Sequence, residues 1–335
     1  MLGLLAVTLA AVLVSLRFGA EDIGLIEAGE ILLKTLPTGE RSGESLGTSS
    51  VILLQVRLPR VLLALMVGGA LATVGVVLQA LLRNPLADPY VLGISSGAAL
   101  GAAVAMLLGV GGTGLGLYAM PFCAFAGGLL SILLAYRIAV SYGRLPVHTL
   151  LLTGVILNAV FSALIMFVTS VMDPNRSYAL LFWLMGMLTS PSYSALGVLA
   201  LYLTVGMLVL AAHSSALNVL TLGEDSARSL GVEVEQVKKV IFIMAALLTG
   251  AVVSVSGVIG FIGMVIPHAV RMVFGADHRL LLPASALVGG TSLLVADTIA
   301  RSAFAPGEIP VGVVTALVGG PFFIYLLMRR RAGLG

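Results

Sequence analysis

Residues 58–82, LPRVLLALMVGGALATVGVVLQALL, run for 25 positions with Arg60 as the sole charge. A helix that crosses the hydrocarbon of a bilayer needs about 20 mostly apolar residues. Only a helix or a closed barrel satisfies its own backbone there. The run does not alternate apolar with polar residues, as a barrel strand does, so it reads as a spanning helix. It has company. Stretches 1–17, 91–109, 117–139, 148–171, 192–212, 237–256, 257–273, 281–300 and 309–328 have the same character, which predicts about ten spans. The chain is 59% hydrophobic and 10% charged, against roughly 45–50% and 25% in a soluble domain. The expected fold is therefore an all-α polytopic membrane protein, one transmembrane domain over 1–335. Its 40 glycines suit helices that approach closely inside lipid.

Segment 176–188, RSYALLFWLMGML, is too short to span and reads as an interfacial or re-entrant helix, with Tyr178 and Trp183 at the water boundary. Residues 1–22 have the apolar core of a secretory signal but no basic leader, so an uncleaved first span is expected. TGERSGESLGTSS (38–50) reads as a flexible loop. Ten spans also fit two inverted five-helix units, as in many transporters, although self-similarity in this sequence is weak.

Lys and Arg in short loops set orientation. With both termini in the cytoplasm, Arg83, Arg137, Arg144, Arg228, Lys238, Lys239, Arg271, Arg279 and the Arg329, Arg330, Arg331 tail all fall inside. The acidic loop 18–56 falls outside. Arg57, Arg60, Arg176 and Arg301 break this pattern at outer helix ends and require a reason. The net charge of +3 is explained by orientation and calls for no nucleic acid.

Covalent chemistry has no foothold. There is no GxxxxGK[ST] loop, no HExxH and no GxSxG. The four histidines are scattered and Cys123 is alone, so neither a metal site nor a cofactor is expected. Asp297 is the main ionisable group within a span, four residues before Arg301 and so on the same helix face. An ion-driven carrier would show more such groups. If the chain moves something, the energy is expected from a separate subunit, with an ion-coupled secondary transporter as the alternative.

A polar island, TLGEDSARSLGVEVEQVKK (221–239), interrupts this apolar sequence. Thr221 and Glu224 stand at capping-box spacing, and Gly231 suits a left-handed stop. The pattern predicts a short rigid helix over about 222–230 in an inside loop.

The same island, with LGEDSARSLG, resembles the coupling loop of the iron-siderophore, haem and cobalamin importer permeases, the large type II ABC importers. The resemblance extends through QVRLPRVLLALMVGGALATVGVVLQALLRNPLADPYVLGISSGAALGA (55–102), GVIGFIGMVIPHAVRMVFGADHRLLLP (257–283), ADTIAR (296–301) and GEIPVGVVTALVGGPFF (307–323). It implies a ten-helix permease, not itself an enzyme, that works as a homodimer in the inner membrane with two ABC ATPase subunits and one substrate-binding protein. It implies a cytoplasmic coupling loop over 214–236, in which Leu222, Gly223, Glu224, Ser226, Ala227, Arg228, Leu230 and Gly231 meet the ATPase. Arg57, Arg60 and Arg301 match positions that dock the binding protein. Asn84, Leu86, Val147 and His148 match the cytoplasmic gate; the cobalamin importer carries small hydroxyl residues where Val147 and His148 stand here. The implied cargo is a ferric siderophore first, then cobalamin or haem. His268 is expected to be structural, and Glu308 to cap the last span.

Overall fold

The computed structural model describes residues 1–19, 24–35, 47–110, 116–140, 144–305 and 307–332. Within them the chain is a helical bundle: α1 (Leu2–Arg17), α2 (Leu25–Thr35), α3 (Thr48–Val51), α4 (Leu58–Leu81), α5 (Ile94–Leu107), α6 (Gly116–Ala139), α7 (Val147–Ser170), α8 (Pro174–Leu184), α9 (Tyr193–Ala212), α10 (Ser214–Leu220), α11 (Glu224–Ser229), α12 (Val234–Ser256), α13 (Ile262–Phe274), α14 (His278–Ser302) and α15 (Val311–Ala332). A π-helical stretch, Ile52–Arg57, joins α3 to α4 in one continuous rod.

The ten expected spans map onto ten helices of unequal length. Six are long and apolar enough to cross a bilayer: Thr48–Leu81, Ala119–Ala139, α7, α9, α12 and α14. Leu2–Arg17, Ile94–Leu107, Ile262–Phe274 and Val311–Tyr325 are apolar but shorter. The stretch expected to span as 91–109 begins as helix only at Ile94, after a 3₁₀ turn over Pro89–Leu92. Between α12 and α13 the chain breaks at Gly257 (φ 64) and resumes at Ile262, because Gly257 takes a left-handed angle that lets the backbone cross Trp183. The loop 18–56 also holds more helix than expected, since α2 lies within it. Most of the loop read as flexible, 38–46, lies outside the described residues.

Burial sorts the helices. The most apolar window of the α3–α4 rod is 83% buried, whereas those of α6, α7 and α9 are only 28%, 28% and 22% buried. The rod is therefore the axis of the bundle, and α7 and α9 give apolar flanks to lipid or to another chain. Small residues allow this. A Cβ on Gly75 of α4 would lie 1.8 Å from the Gly263 carbonyl oxygen of α13, and one on Gly68 would lie 2.3 Å from the Gly289 oxygen of α14. In lipid such packing holds helices together in place of the hydrophobic effect.

A controlled pair of substitutions tests this. Gly29→Ala in α2 meets nothing within 4 Å and should be neutral or raise stability by up to about 1 kcal/mol through helix propensity. Gly75→Ala should lower it by about 1–3 kcal/mol or more, as overpacking does. Equal thermal midpoints for the two variants in detergent would show that α4 and α13 do not depend on this contact.

Candidate functional site: two polar ends joined by the central rod

Arg60 stands in the first turn of α4 and Arg83 just past its end, 23 residues later, so about 35 Å separates them at helical rise. Each marks a polar cluster.

At the Arg60 end, a charge network sits inside the protein. Arg60 donates from Nε to both carboxylate oxygens of Asp297 (3.0 and 3.2 Å) and from Nη1 to both of Glu308 (3.1 and 2.9 Å). Arg301 Nε lies 3.6 Å from Asp297. Asp297 is fully buried, and Arg57, Arg60 and Arg301 are buried with it. Glu308 is the member that reaches the surface, its side chain 44% exposed. Its carboxylate is turned onto Arg60, whose guanidinium takes both oxygens.

Arg57 and Arg301 have a second task. Arg57 Nη1 donates to the carbonyls of Leu16 and Arg17 (2.8 and 2.9 Å), and Arg301 donates to the Ser15 carbonyl and, at 2.7 Å, to its Oγ. These are last-turn groups of α1, which have no partner within their own helix and carry the negative end of its dipole. Arg176 does the same for α5, donating to Met106 and Leu107 (3.2 and 3.0 Å). Each of the four arginines that break the loop-charge pattern thus has a partner: three hold helix C-termini and the fourth neutralises buried acid. That reason was not legible in the sequence, which does not say which helix ends meet.

At the Arg83 end the polar island follows the short helix α10 and folds into α11 and the start of α12. The expected capping box is not made. Thr221 stays helical at the end of α10 and its hydroxyl donates to the Asn218 carbonyl (2.7 Å). Gly223, at φ 117, occupies the N-cap position, and the helix starts at Glu224 instead of Leu222. The stop is as expected. Gly231 has φ 82, its amide donates to Arg228 O and the Val232 amide to Ala227 O, the double bond of a Schellman motif. Ala227 is fully buried with Leu220 and Val234, so α11 is nailed down by one small residue. Leu222 and Leu230, 69% and 65% exposed, point away from that core.

Ion pairs fasten α11 to α12. Lys238, only 4% exposed at its side chain, donates to Glu224 (3.1 Å) and Glu235 (3.2 Å), and Arg228 pairs with Glu224, Asp225 and Glu235. The other oxygen of Glu235 accepts the amide of Leu145 at 2.9 Å, just before α7. A polar cavity of about 500 Å³ between these elements is lined by Arg83, Val147, His148, the stretch Leu222–Ser226 and Arg228. Thus the structure brings Val147 and His148 together with the α11 residues. Asn84 and Leu86 lie in the adjoining turn, where Asn84 Oδ1 accepts the Leu86 amide (3.0 Å) and its carbonyl the Ala87 amide. Glu235 was missed as a site residue; its i,i+3 spacing to Lys238 was the available signal.

Nearby, Asp277 caps α14. Donation from the Asn218 side chain and then from the Arg279 amide holds its carboxyl below the usual aspartate value. His268 is buried within α13.

Comparison with known proteins adds to this geometry. The profile of the FecCD transport family matches residues 7–329. The "Cobalamin import system permease protein BtuC" of Halobacterium salinarum is 43% identical over 286 residues, covering 84% of this chain and 75% of that protein. The "Hemin transport system permease protein HmuU" of Yersinia pestis is 44% identical over 282 residues, 84% of each chain. A solved structure described as an inward-facing conformation of a metal-chelate type ABC transporter superposes with a TM-score of 0.82 at 31% identity, covering 98% and 97% of the two chains.

Proposed function

Because the chain belongs to the FecCD transport family, we propose that it is the membrane-spanning permease subunit of an ATP-driven importer that carries a ferric siderophore, or a related haem or cobalamin, into the cytoplasm. At the coarser level it is a permease subunit of the metal-chelate, cobalamin and haem type of ABC importer, and a multi-pass membrane protein. The observation that carries the finer reading is the cavity where α11 meets the start of α7. It places a rigid polar helix, with two exposed leucines for a partner's cleft, beside residues expected to gate an exit.

In this reading the Arg83 end is cytoplasmic, both termini are inside, and the membrane is the inner one. Two copies of the chain enclose one path, two ATPases seat Leu222 to Gly231, and Val147, His148, Asn84 and Leu86 close the exit. A binding protein docks at the opposite end. Arg57, Arg60 and Arg301 serve it there by shaping a charged mouth, with Glu308 the group nearest an arriving partner. Complementary charge of this kind steers encounter and sets register.

The test is uptake into proteoliposomes that contain the chain, its ATPase and its binding protein. ATP-dependent accumulation of an iron chelate, haemin or cobalamin is expected. Accumulation driven by an ion gradient alone, without the ATPase, would replace this reading with a secondary transporter.

A further inference from the structure

A further cavity runs along α7, from the middle of that helix to its end, and is mostly apolar with a polar corner. In α7, Asn158, Ser162 and Thr169 share one face with Ile165, whereas Ile156 and Val160 are exposed on the opposite side. That face lines a cavity of about 720 Å³, together with Tyr90, Ser95, Ser96 and the apolar Met166, Leu181 and Leu184. Polar groups at this depth in a spanning helix face a bundle interior or a water-filled path.

The depth is fixed by two hydrogen bonds. Asn158 is the twelfth of the 24 residues of α7. Its Nδ2 donates to the Tyr90 carbonyl at 2.8 Å, and its Oδ1 accepts from Ser96 Oγ at 2.5 Å. The first turn of α5 is therefore level with the middle of α7. Gly93, at φ 79, makes the corner into that turn, and Gly154 leaves room for it, since a Cβ there would lie 2.2 Å from Val91 O. Hence α5 begins beside the middle of α7 instead of at its end. Such a terminus carries unpaired amides and the positive end of the helix dipole.

Among the described residues, two side chains there have nothing to bond. The Ser95 hydroxyl, in a residue only 1% exposed, and the buried Tyr90 hydroxyl have no hydrogen-bond partner, and both residues line the cavity. A buried hydroxyl without a partner costs about 1–3 kcal/mol, which favours an occupant that accepts. Among the described residues that line the cavity, none is charged. The nearest acid in sequence, Asp88, already accepts the Tyr90 amide at 3.0 Å.

We propose that this cavity is a binding station for the cargo in passage, where Tyr90, Ser95 and the amide end of α5 receive an oxyanion on the surface of a metal chelate, such as a carboxylate. The proposal rests on the importer reading and adds the chemical class of what is bound. Helix N-termini at the middle of a membrane receive anionic groups in other transporters by the same physics.

The full chain in lipid nanodiscs allows a direct test. Trp183, the only tryptophan, lies between Leu181 and Leu184, which line the cavity, so a tetrapyrrole bound there should quench its fluorescence. The probes are haemin, with two free carboxylates, and haemin dimethyl ester, with none. Haemin should quench saturably and bind more tightly than the ester. Tyr90→Phe and Ser95→Ala should each weaken haemin by about tenfold, the usual size of one charge-assisted hydrogen bond, and leave the ester unchanged. The first variant keeps the ring, and an unchanged unfolding midpoint will show that the fold persists. Equal losses for both probes, unchanged haemin affinity, or quenching that never saturates would each overturn the proposal. This titration needs no ATPase. Failure of ATP-dependent uptake would remove the importer reading, while loss of the haemin preference would remove only the station.

Discussion

Asp297→Ala should destabilise the protein by about 3–5 kcal/mol, the range for removing one partner of a buried ion pair. The acid is fully buried and Arg60 is nearly so. Its loss would strand a guanidinium in the bundle with only the half-exposed Glu308 left to neutralise it. Asp297→Asn should cost less, because the amide oxygen still accepts from Arg60. Replacing both partners, Arg60→Met with Asp297→Leu, should recover most of the loss, since apolar residues of similar volume often serve as well as a buried pair. Denaturant titration in mixed micelles gives all four values. A single Asp297→Ala variant within about 1 kcal/mol of the parent would show that the network is not what fastens α4 to α14. The outcome also bears on docking. If Arg60 serves docking as proposed, charge reversal there would weaken that contact and loosen the Arg60 end together, so docking affinity has to be measured on variants shown to be folded.

The second large effect is expected at Glu235. One carboxylate oxygen takes Lys238 and Arg228, and the other takes the Leu145 amide, so this side chain joins α11 to the entrance of α7. Glu235→Ala should leave the ATPase bound and hydrolysing yet lower cargo moved per ATP by about tenfold, as expected for one charge-assisted hydrogen bond of roughly 1.5 kcal/mol. Glu235→Gln keeps an acceptor for Leu145 and should fall between. A merely structural role would lower hydrolysis and transport in proportion. An unchanged ratio of cargo to ATP would mean that motion of α11 reaches α7 by another route.

Much of this molecule was legible in the order of its residues. Spanning segments are long apolar runs because lipid solvates no backbone, so α4, α7, α9 and α14 stand close to where composition puts them. Gly231 stops α11 because a left-handed residue there is a local matter of φ and ψ. The Thr221 capping box failed for the same local reason read one turn too early. Thr221 is the C-cap of α10, and its side chain bonds back to the preceding turn.

What the sequence by itself determined, then, is whatever depends on neighbours in the chain: an all-helical membrane protein, the family's motifs, and a short polar helix between apolar ones. The tertiary structure alone decided how residues far apart in sequence share their charges and hydrogen bonds. It set Arg57 and Arg301 on the end of α1, closed Asp297 inside a cage of guanidiniums, placed the start of α5 beside Asn158, and hung the entrance of α7 on Glu235. Inside a membrane a buried polar group has no water to fall back on, so its partner must come from whichever helix packs beside it, and only the packing of the bundle says which helix that is.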